Sequence, residues 1–279
     1  MSAHRYTMGK KLDLKKEQRL TFRTPRLKSN ILLRAMYLAF DLLYGKKRTL
    51  AKVKVLELLA RYPYWAWITG GYHRLSRLYL RRPAAPPRKT ARYLSWIDEG
   101  RKAQDNEQWH LFLIDDILRQ KGIKLGRFRY TLMPFLMAFT YHHLTRLIFR
   151  LNPVWSFRMN AAFESHAENE YMRMAAENPE WDDERIDSTW FSVYPRQKTL
   201  GDLIRRIALD ERDHLHHSLE LADHPRRPLR QTKPHKPGGA GSKRHPQQTR
   251  SKPAHTAKRV KKRSSTKKTP SGQSRKRTN

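Results

Sequence analysis

Two Glu-x-x-His motifs, Glu107 to His110 and Glu211 to His214, lie inside apolar helical stripes of a 279-residue chain, and a single Glu stands upstream of each, at Glu57 and Glu164. Around the first motif, Trp96, Gly100, Ala103, Leu111, Ile114, Ile117 and Leu118 keep helical spacing with Glu107 and His110. Around the second, Ile204, Ile207, Ala208, Leu215, Ser218 and Ala222 do the same with Glu211 and His214. A carboxylate in an apolar stripe is costly to bury as a lone charge, so it needs a partner. At i and i+3 the Glu and His project from one face, and both reach a single metal ion from adjacent turns.

The order along the chain supplies the rest. Glu57 to Glu107 spans 50 residues, Glu107 to Glu164 spans 57 and Glu164 to Glu211 spans 47. Each interval holds the remainder of one helix, a connection and the start of the next, so four helices each bring one Glu. The expected fold is all-α, a ferritin-like four-helix bundle in which Glu57, Glu107, His110, Glu164, Glu211 and His214 bind two iron ions. In the third segment Phe157, Ala161, Glu164, Ala167, Tyr171 and Met174 share a face, which sets Tyr171 about 10.5 Å along the axis from Glu164. Its side chain leans back toward the N-terminus and narrows that gap.

Helices are expected near 27–45, 49–80, 92–121, 127–149, 154–177 and 200–223, with Pro83, Pro86 and Pro87 in one loop and 179–195 in another. No strand alternation, Gly-rich phosphate loop or fixed-period repeat is present. Plainer readings exist for single residues. Glu57 and Arg61 fit an i,i+4 surface pair, Glu164 fits a pair with Arg158 or His166, and Tyr171 fits a core tyrosine with a satisfied hydroxyl. His142 and His143 fall outside the bundle register and are read as surface or interfacial residues. Glu168 and Glu170 read as solvated or as neighbours of the ligands, and the pairs Asp115–Asp116 and Asp182–Asp183 as wet positions.

Charge divides the chain. Of 59 Lys and Arg, 19 fall in residues 225–279, which contain no acid; the other 40 face all 25 acids, a charge of +15. Residues 225–279 have almost no large apolar side chains, the composition of a disordered tail that cannot bury a core. Its basic runs would bind a polyanion, anionic lipid first and nucleic acid second. The domain division expected is a flexible N-terminal segment, 1–25, a helical domain, 26–224, and the tail, 225–279.

No stretch reaches the roughly 20 apolar residues of a membrane-spanning helix. Instead, residues 27–45 interleave Ile31, Leu32, Leu33, Met36, Leu38, Phe40 and Leu42 with Arg34 and with Arg26 and Lys28 at the edge. Residues 127–150 likewise place Leu132, Met133, Phe135, Leu136, Met137 and Phe139 between Arg127, Arg129, Arg146 and Arg150. Apolar faces with cationic edges suit helices lying in one leaflet; burial in a soluble helical core is the alternative. The absence of cysteine excludes disulfides and thiolate-held iron–sulfur clusters. Met1 to Leu20 has no apolar run for a signal peptide, and Asp13 and Glu17 weigh against a transit peptide. The expectation is the cytoplasmic face of a bacterial inner membrane, with the mitochondrial matrix face as alternative.

The wording around the four Glu residues resembles the alternative oxidases, which are membrane-bound di-iron quinol oxidases. Leu56 and Glu57 with Pro63 six residues later match the family's first motif, and Asn106, Glu107, His110 and Leu111 its second. Pro153 eleven residues before Glu164, Arg158 six before, Ala167 in register and Tyr171 seven after match the third. Thr199, Leu200 and Asp202, followed by Asp210, Glu211 and His214, match the fourth. The likeness runs over roughly residues 30 to 224, in family order.

The resemblance implies that two quinols, ubiquinol being the family's substrate, reduce O2 to water without proton pumping. It implies that Tyr171 is a redox-active tyrosine beside the irons, that Asn106 and Asp210 orient the ligands, and that the protein is a monotopic homodimer. Arg34, Asp41, Lys52 and Ala167 would belong to the quinol pocket. Departures concentrate there. Tyr37 and Lys52 stand where the family has Arg, and lysine lacks the planar fork that holds an oxygen pair. Glu-Leu-Leu replaces Glu-Thr-Val at Glu57, and Trp109 replaces Met. Two other classes remain open on the residues alone: a di-iron hydroxylase of a quinone precursor or other lipid-soluble substrate, and a non-enzymatic metal-binding scaffold whose basic tail is the working part.

Overall fold

A computed structural model describes residues 11–81 and 84–224. The expected properties of the basic tail, and its lipid or nucleic-acid contacts, concern residues outside these. The described chain forms seven α-helices: α1 Leu14–Arg23, α2 Ile31–Tyr44, α3 Leu50–Arg81, α4 Pro87–Gln120, α5 Met133–Leu151, α6 Pro153–Glu177 and α7 Leu200–Asp223. A π turn, Phe128–Leu132, leads into α5, and 3₁₀ turns at Pro179–Asp182 and Thr189–Ser192 fill the connection to α7. Among the described residues there is no strand, so the fold is all-α as expected.

Local chemistry sets the ends. Asn30 accepts from Leu33 N at 2.9 Å to start α2, Asn152 caps α6 ahead of Pro153, and Thr199 accepts from Asp202 N to start α7. Gly45, at φ +81°, ends α2 in a conformation that favours glycine. Pro87 opens α4 rather than sitting in the preceding loop, because its fixed φ and missing N–H suit the first helical position. Pro63 is buried within α3, which continues through it.

Helices α3, α4, α6 and α7 form the bundle, α3 packing chiefly on α4 and α6 on α7. Gly100 makes the α3–α4 approach close: a Cβ there would lie 3.1 Å from the carbonyl oxygen of Tyr64. The interior has two apolar layers. One includes Val53, Ile114, Ile117, Met172, Leu203 and Ile207. The other joins Trp67, Trp96, Phe149 and Phe157 edge-to-face, with Leu221. On each bundle helix the Glu lies between its contributions to these layers, so the charged residues form one buried stratum at mid-bundle.

Helices α2 and α5 lie against this bundle. Leu33 of α2 is fully buried against Ala60, Met159, Ala162 and Phe163, whereas Ile31, Leu38, Leu42, Phe135 and Phe139 are exposed. Among the described residues no helix is long and apolar enough to cross a membrane.

The N-terminal segment differs from the expectation. Residues 14–23 form α1, docked through polar contacts: Gln18 donates to the Met172 carbonyl at 2.6 Å and accepts from Arg205 at 3.0 Å. Thr21 donates to Glu168 at 2.8 Å, and Arg212 pairs with both Glu17 and Glu168. The partners lie 147 to 195 residues away in sequence, so local hydropathy carries no sign of them.

Candidate metal centre

Each bundle helix delivers its carboxylate to one point. Glu57 comes from α3, Glu107 and His110 from α4, Glu164 from α6, and Glu211 and His214 from α7; all six are buried. They form two overlapping groups, Glu57–Glu107–His110–Glu211 and Glu107–Glu164–Glu211–His214, whose ligand atoms lie within 4.8 Å of one another in each group. Glu107 and Glu211 belong to both. Glu107 and Glu211 would therefore be within reach of both ions if a metal pair were held here.

The imidazoles face inward. His110 Nδ1 is 3.3 Å from Glu57 Oε2 and 3.4 Å from Glu211 Oε1, and His214 Nδ1 is 2.9 Å from Glu107 Oε1 and 3.5 Å from Glu211 Oε2. Yet Glu57 Oε2, Glu164 Oε2, both oxygens of Glu107 and Glu211, His110 Nδ1 and both nitrogens of His214 make no well-aligned hydrogen bond among the described residues. Buried polar atoms are almost always satisfied. A converging set of orphaned carboxylate and imidazole lone pairs is what a pair of iron ions would satisfy, so the residues fit the group.

Electrostatics agree. Burial pushes Glu57 up to about 8, partly offset by His110. Burial, with Glu211 and Glu107 close by, holds Glu164 well above the usual carboxylate range. Burial acts the same way on Glu107, but the facing imidazoles of His110 and His214 outweigh it and bring that group below the range. Glu57 and Glu164 are thus held toward the neutral form, and cations of charge +2 beside them would favour the carboxylate.

Supporting contacts fix the ligands. Asp210 faces His110 Nε2 at 3.2 Å, accepts from Tyr194 at 2.6 Å and from Arg206 Nε at 3.1 Å. Burial alone would raise Asp210, but His110 and Arg206 draw it down to about 2. An anionic Asp210 would accept a hydrogen bond from Nε2–H and, with the ring neutral beside a metal ion, leave the Nδ1 lone pair facing the carboxylates. Asn106, expected in the same role, is buried with its Oδ1 unpartnered among the described residues, so no ligand contact is seen for it.

Tyr171 donates to Glu57 Oε1 and is 3 % exposed. Glu57 does not pair with Arg61, which bonds Gln108. Glu164 meets neither Arg158 nor His166; it accepts from Tyr64 at 2.7 Å and from Asn160 at 3.0 Å. His142 and His143 lie in neither ligand group. The solvated reading of two acids is corrected: Glu168 is buried on Arg212, and Glu170 is ion-paired with Arg48.

Tyr64, Asn160, Tyr194 and Arg206 were missed from sequence. Three of them carried a signal: Tyr64 is seven residues after Glu57 and Asn160 four before Glu164, both on ligand faces, and Arg206 is four before Asp210, on that residue's face. Tyr194 arrives from a loop and had none.

A cavity of about 730 Å³ opens beside the centre, bounded by α2, α3, α5 and α6. Met36, Phe40, Leu136 and Leu144 give it an apolar wall, and Tyr171 lies in its lining. Asp41 and Lys52 line it and pair at 2.5 Å. Arg34 is exposed and Ala167 is packed in the core, and neither lines the cavity.

No curated protein matches the chain. A family model described as alternative oxidase matches residues 14–223, a span that takes in α1 and ends with α7. With all four motifs folded onto one buried stratum and the match covering most of its length, the chain belongs to the alternative oxidase family.

Proposed function

We propose that this protein oxidises a membrane quinol with O2 at a di-iron centre held by Glu57, Glu107, His110, Glu164, Glu211 and His214. Two quinols give two quinones, and one O2 with the four electrons and four protons released gives two waters. The observation that carries this reading is the continuity of the apolar cavity with Tyr171, whose hydroxyl bonds the ligand Glu57. The iron pair, when bound, supplies the oxygen-reducing chemistry. The chain's own residues do the rest. The cavity walls exclude water around the diphenol, Asp210 orients His110, and Tyr171 stands between substrate and ligand stratum, where it can pass a hydrogen on.

Alternative oxidases are membrane-associated. The finer reading is a monotopic placement, supported by the exposed apolar side chains of α2 and α5 that flank the cavity wall. The family likeness also carries a homodimer and, with the cationic edges of these helices, the cytoplasmic face of a bacterial inner membrane. Sedimentation and membrane fractionation check those two points.

Oxygen uptake by membranes containing the protein, supplied with ubiquinol and then menaquinol in cyanide, tests the reaction. Cyanide-resistant uptake should require iron, vanish in Glu164→Ala and fall at least about tenfold in Tyr171→Phe with iron retained. Iron-loaded protein that consumes no oxygen with either quinol would overturn the reading. A hydroxylated product in place of quinone would assign the centre to a hydroxylase.

A further inference from the structure

The carboxylates lining the cavity are Asp41 and Glu170. Asp41 is answered by Lys52, and its side chain is 42 % exposed. Glu170 is more enclosed, at 26 %, and immediately precedes Tyr171. Arg48 grips it as a fork, Nε 2.8 Å from Oε2 and Nη2 3.2 Å from Oε1. The third nitrogen of that guanidinium anchors on Glu177 at 2.6 Å, and Arg26 stands 3.6 Å from Glu170 Oε1. A bidentate guanidinium fixes a carboxylate's plane, which a lysine cannot do. Arg48 belongs to the connection between α2 and α3, so the grip also ties that connection to α6. Glu170 is thus an oriented carboxylate at the polar end of an apolar cavity, beside the tyrosine that touches the ligand stratum.

We propose that Glu170, positioned by Arg48, accepts a hydrogen bond from a hydroxyl of the bound diphenol and so makes the cavity prefer the reduced substrate to its quinone product. The inference rests on the quinol-oxidase reading of the site. A diphenol presents O–H where the quinone presents carbonyl oxygen. A carboxylate accepts and does not donate, so it attracts the first and repels the second. Such discrimination comes from an enclosed polar group that only one ligand satisfies. Glu170 is then a substrate-binding residue and Arg48 a positioning residue.

Steady-state oxygen uptake by the full-length iron-loaded protein tests this, with a short-chain benzene-1,4-diol as substrate and its quinone and dimethyl ether as inhibitors. Glutamine keeps the shape of Glu170 but donates as well as accepts. Glu170→Gln should raise KM for the diol and lower the inhibition constant of the quinone, changing their ratio about tenfold. Inhibition by the ether, which neither donates nor is a quinone, should change far less than inhibition by the quinone. Arg48→Ala should move the ratio the same way, and Arg48→Lys should restore part of it. If Glu170→Gln leaves the ratio unchanged, or shifts diol, quinone and ether by one common factor, Glu170 is only structural and the proposal is wrong. Absence of uptake by the wild-type protein would instead overturn the quinol-oxidase reading, and this inference with it.

Discussion

Glu107 and Glu211 differ from Glu57 and Glu164 in one respect that metal analysis can see. Each of the first two belongs to both ligand groups, whereas each of the others belongs to one. Glu107→Ala should therefore bring bound iron close to zero, while Glu57→Ala should leave about half, because one of the two ligand groups stays complete. Equal losses in the two variants would contradict the shared-carboxylate geometry. Asp210→Asn changes none of the six candidate ligands but removes the anion that faces Nε2 of His110. Orienting partners of this kind are worth about 10- to 100-fold in metal affinity, so competition with a chelator should show a loss of that order. The convergence of the six candidate ligands was legible in the sequence because a carboxylate inside an apolar stripe must be neutralised there, and four of them at bundle spacing, two with a histidine one turn on, make a set that could hold metal. The groups that hold them were less so. Asp210 stood next to a ligand, but Arg206 and Asn160 became meaningful only once the faces of α6 and α7 were known, and Tyr194 reaches Asp210 from a loop with no periodicity to read.

At the scale of elements, the bundle helices followed from hydropathic period, and the close approach of α3 to α4 depends on a residue without a side chain. At Gly100 a Cβ would fall 2.9 Å from Ile68 Cγ1 and 3.1 Å from the Tyr64 carbonyl oxygen. Ile68 can shift, but the carbonyl belongs to the turn that carries Tyr64, the partner of Glu164. Gly100→Ala should destabilise the fold by about 1 to 3 kcal/mol, measured by denaturant unfolding. Helix α1 was unreadable for the opposite reason: it is held by polar partners on α6 and α7 rather than by an apolar stripe. The turn before α7 makes a related point about pH. Asp182 is held below the usual carboxylate range by Arg205, against a smaller burial effect, and by Lys15. A folded-state value below the unfolded one adds stability above the unfolded value, about 3.9 for Asp, and that stability is lost as pH falls through the folded value. Thermal unfolding of Asp182→Asn should accordingly differ from wild type at pH 7 and converge with it in acid below about pH 4. A difference that persists undiminished in acid would rule out this linkage.

On the scale of the whole molecule, the exposed faces of α2 and α5 and the cavity between them form one arrangement. Ile31 and Leu42 are 87 % and 76 % exposed, and Phe135 and Phe139 64 % and 60 %. Apolar side chains exposed this far along two helices flanking one cavity are expensive in water and favourable in the acyl region of a leaflet. On the proposed monotopic placement, a hydrophobic quinol would pass from lipid to Tyr171 without crossing water. A double substitution, Leu42→Glu with Phe139→Glu, puts a carboxylate on each face, each costing about 2 to 3 kcal/mol if carried into hydrocarbon. Because both side chains point away from the core, the fold and the iron content should be kept. Flotation with lipid vesicles should show the variant released into the soluble fraction. Oxygen uptake with a short-chain, water-soluble diphenol should persist, whereas uptake with a long-tailed quinol embedded in vesicles should collapse. Retained vesicle binding, or equal loss with both substrates, would mean that these faces do not carry the protein to its substrate, and that the cavity is supplied from elsewhere.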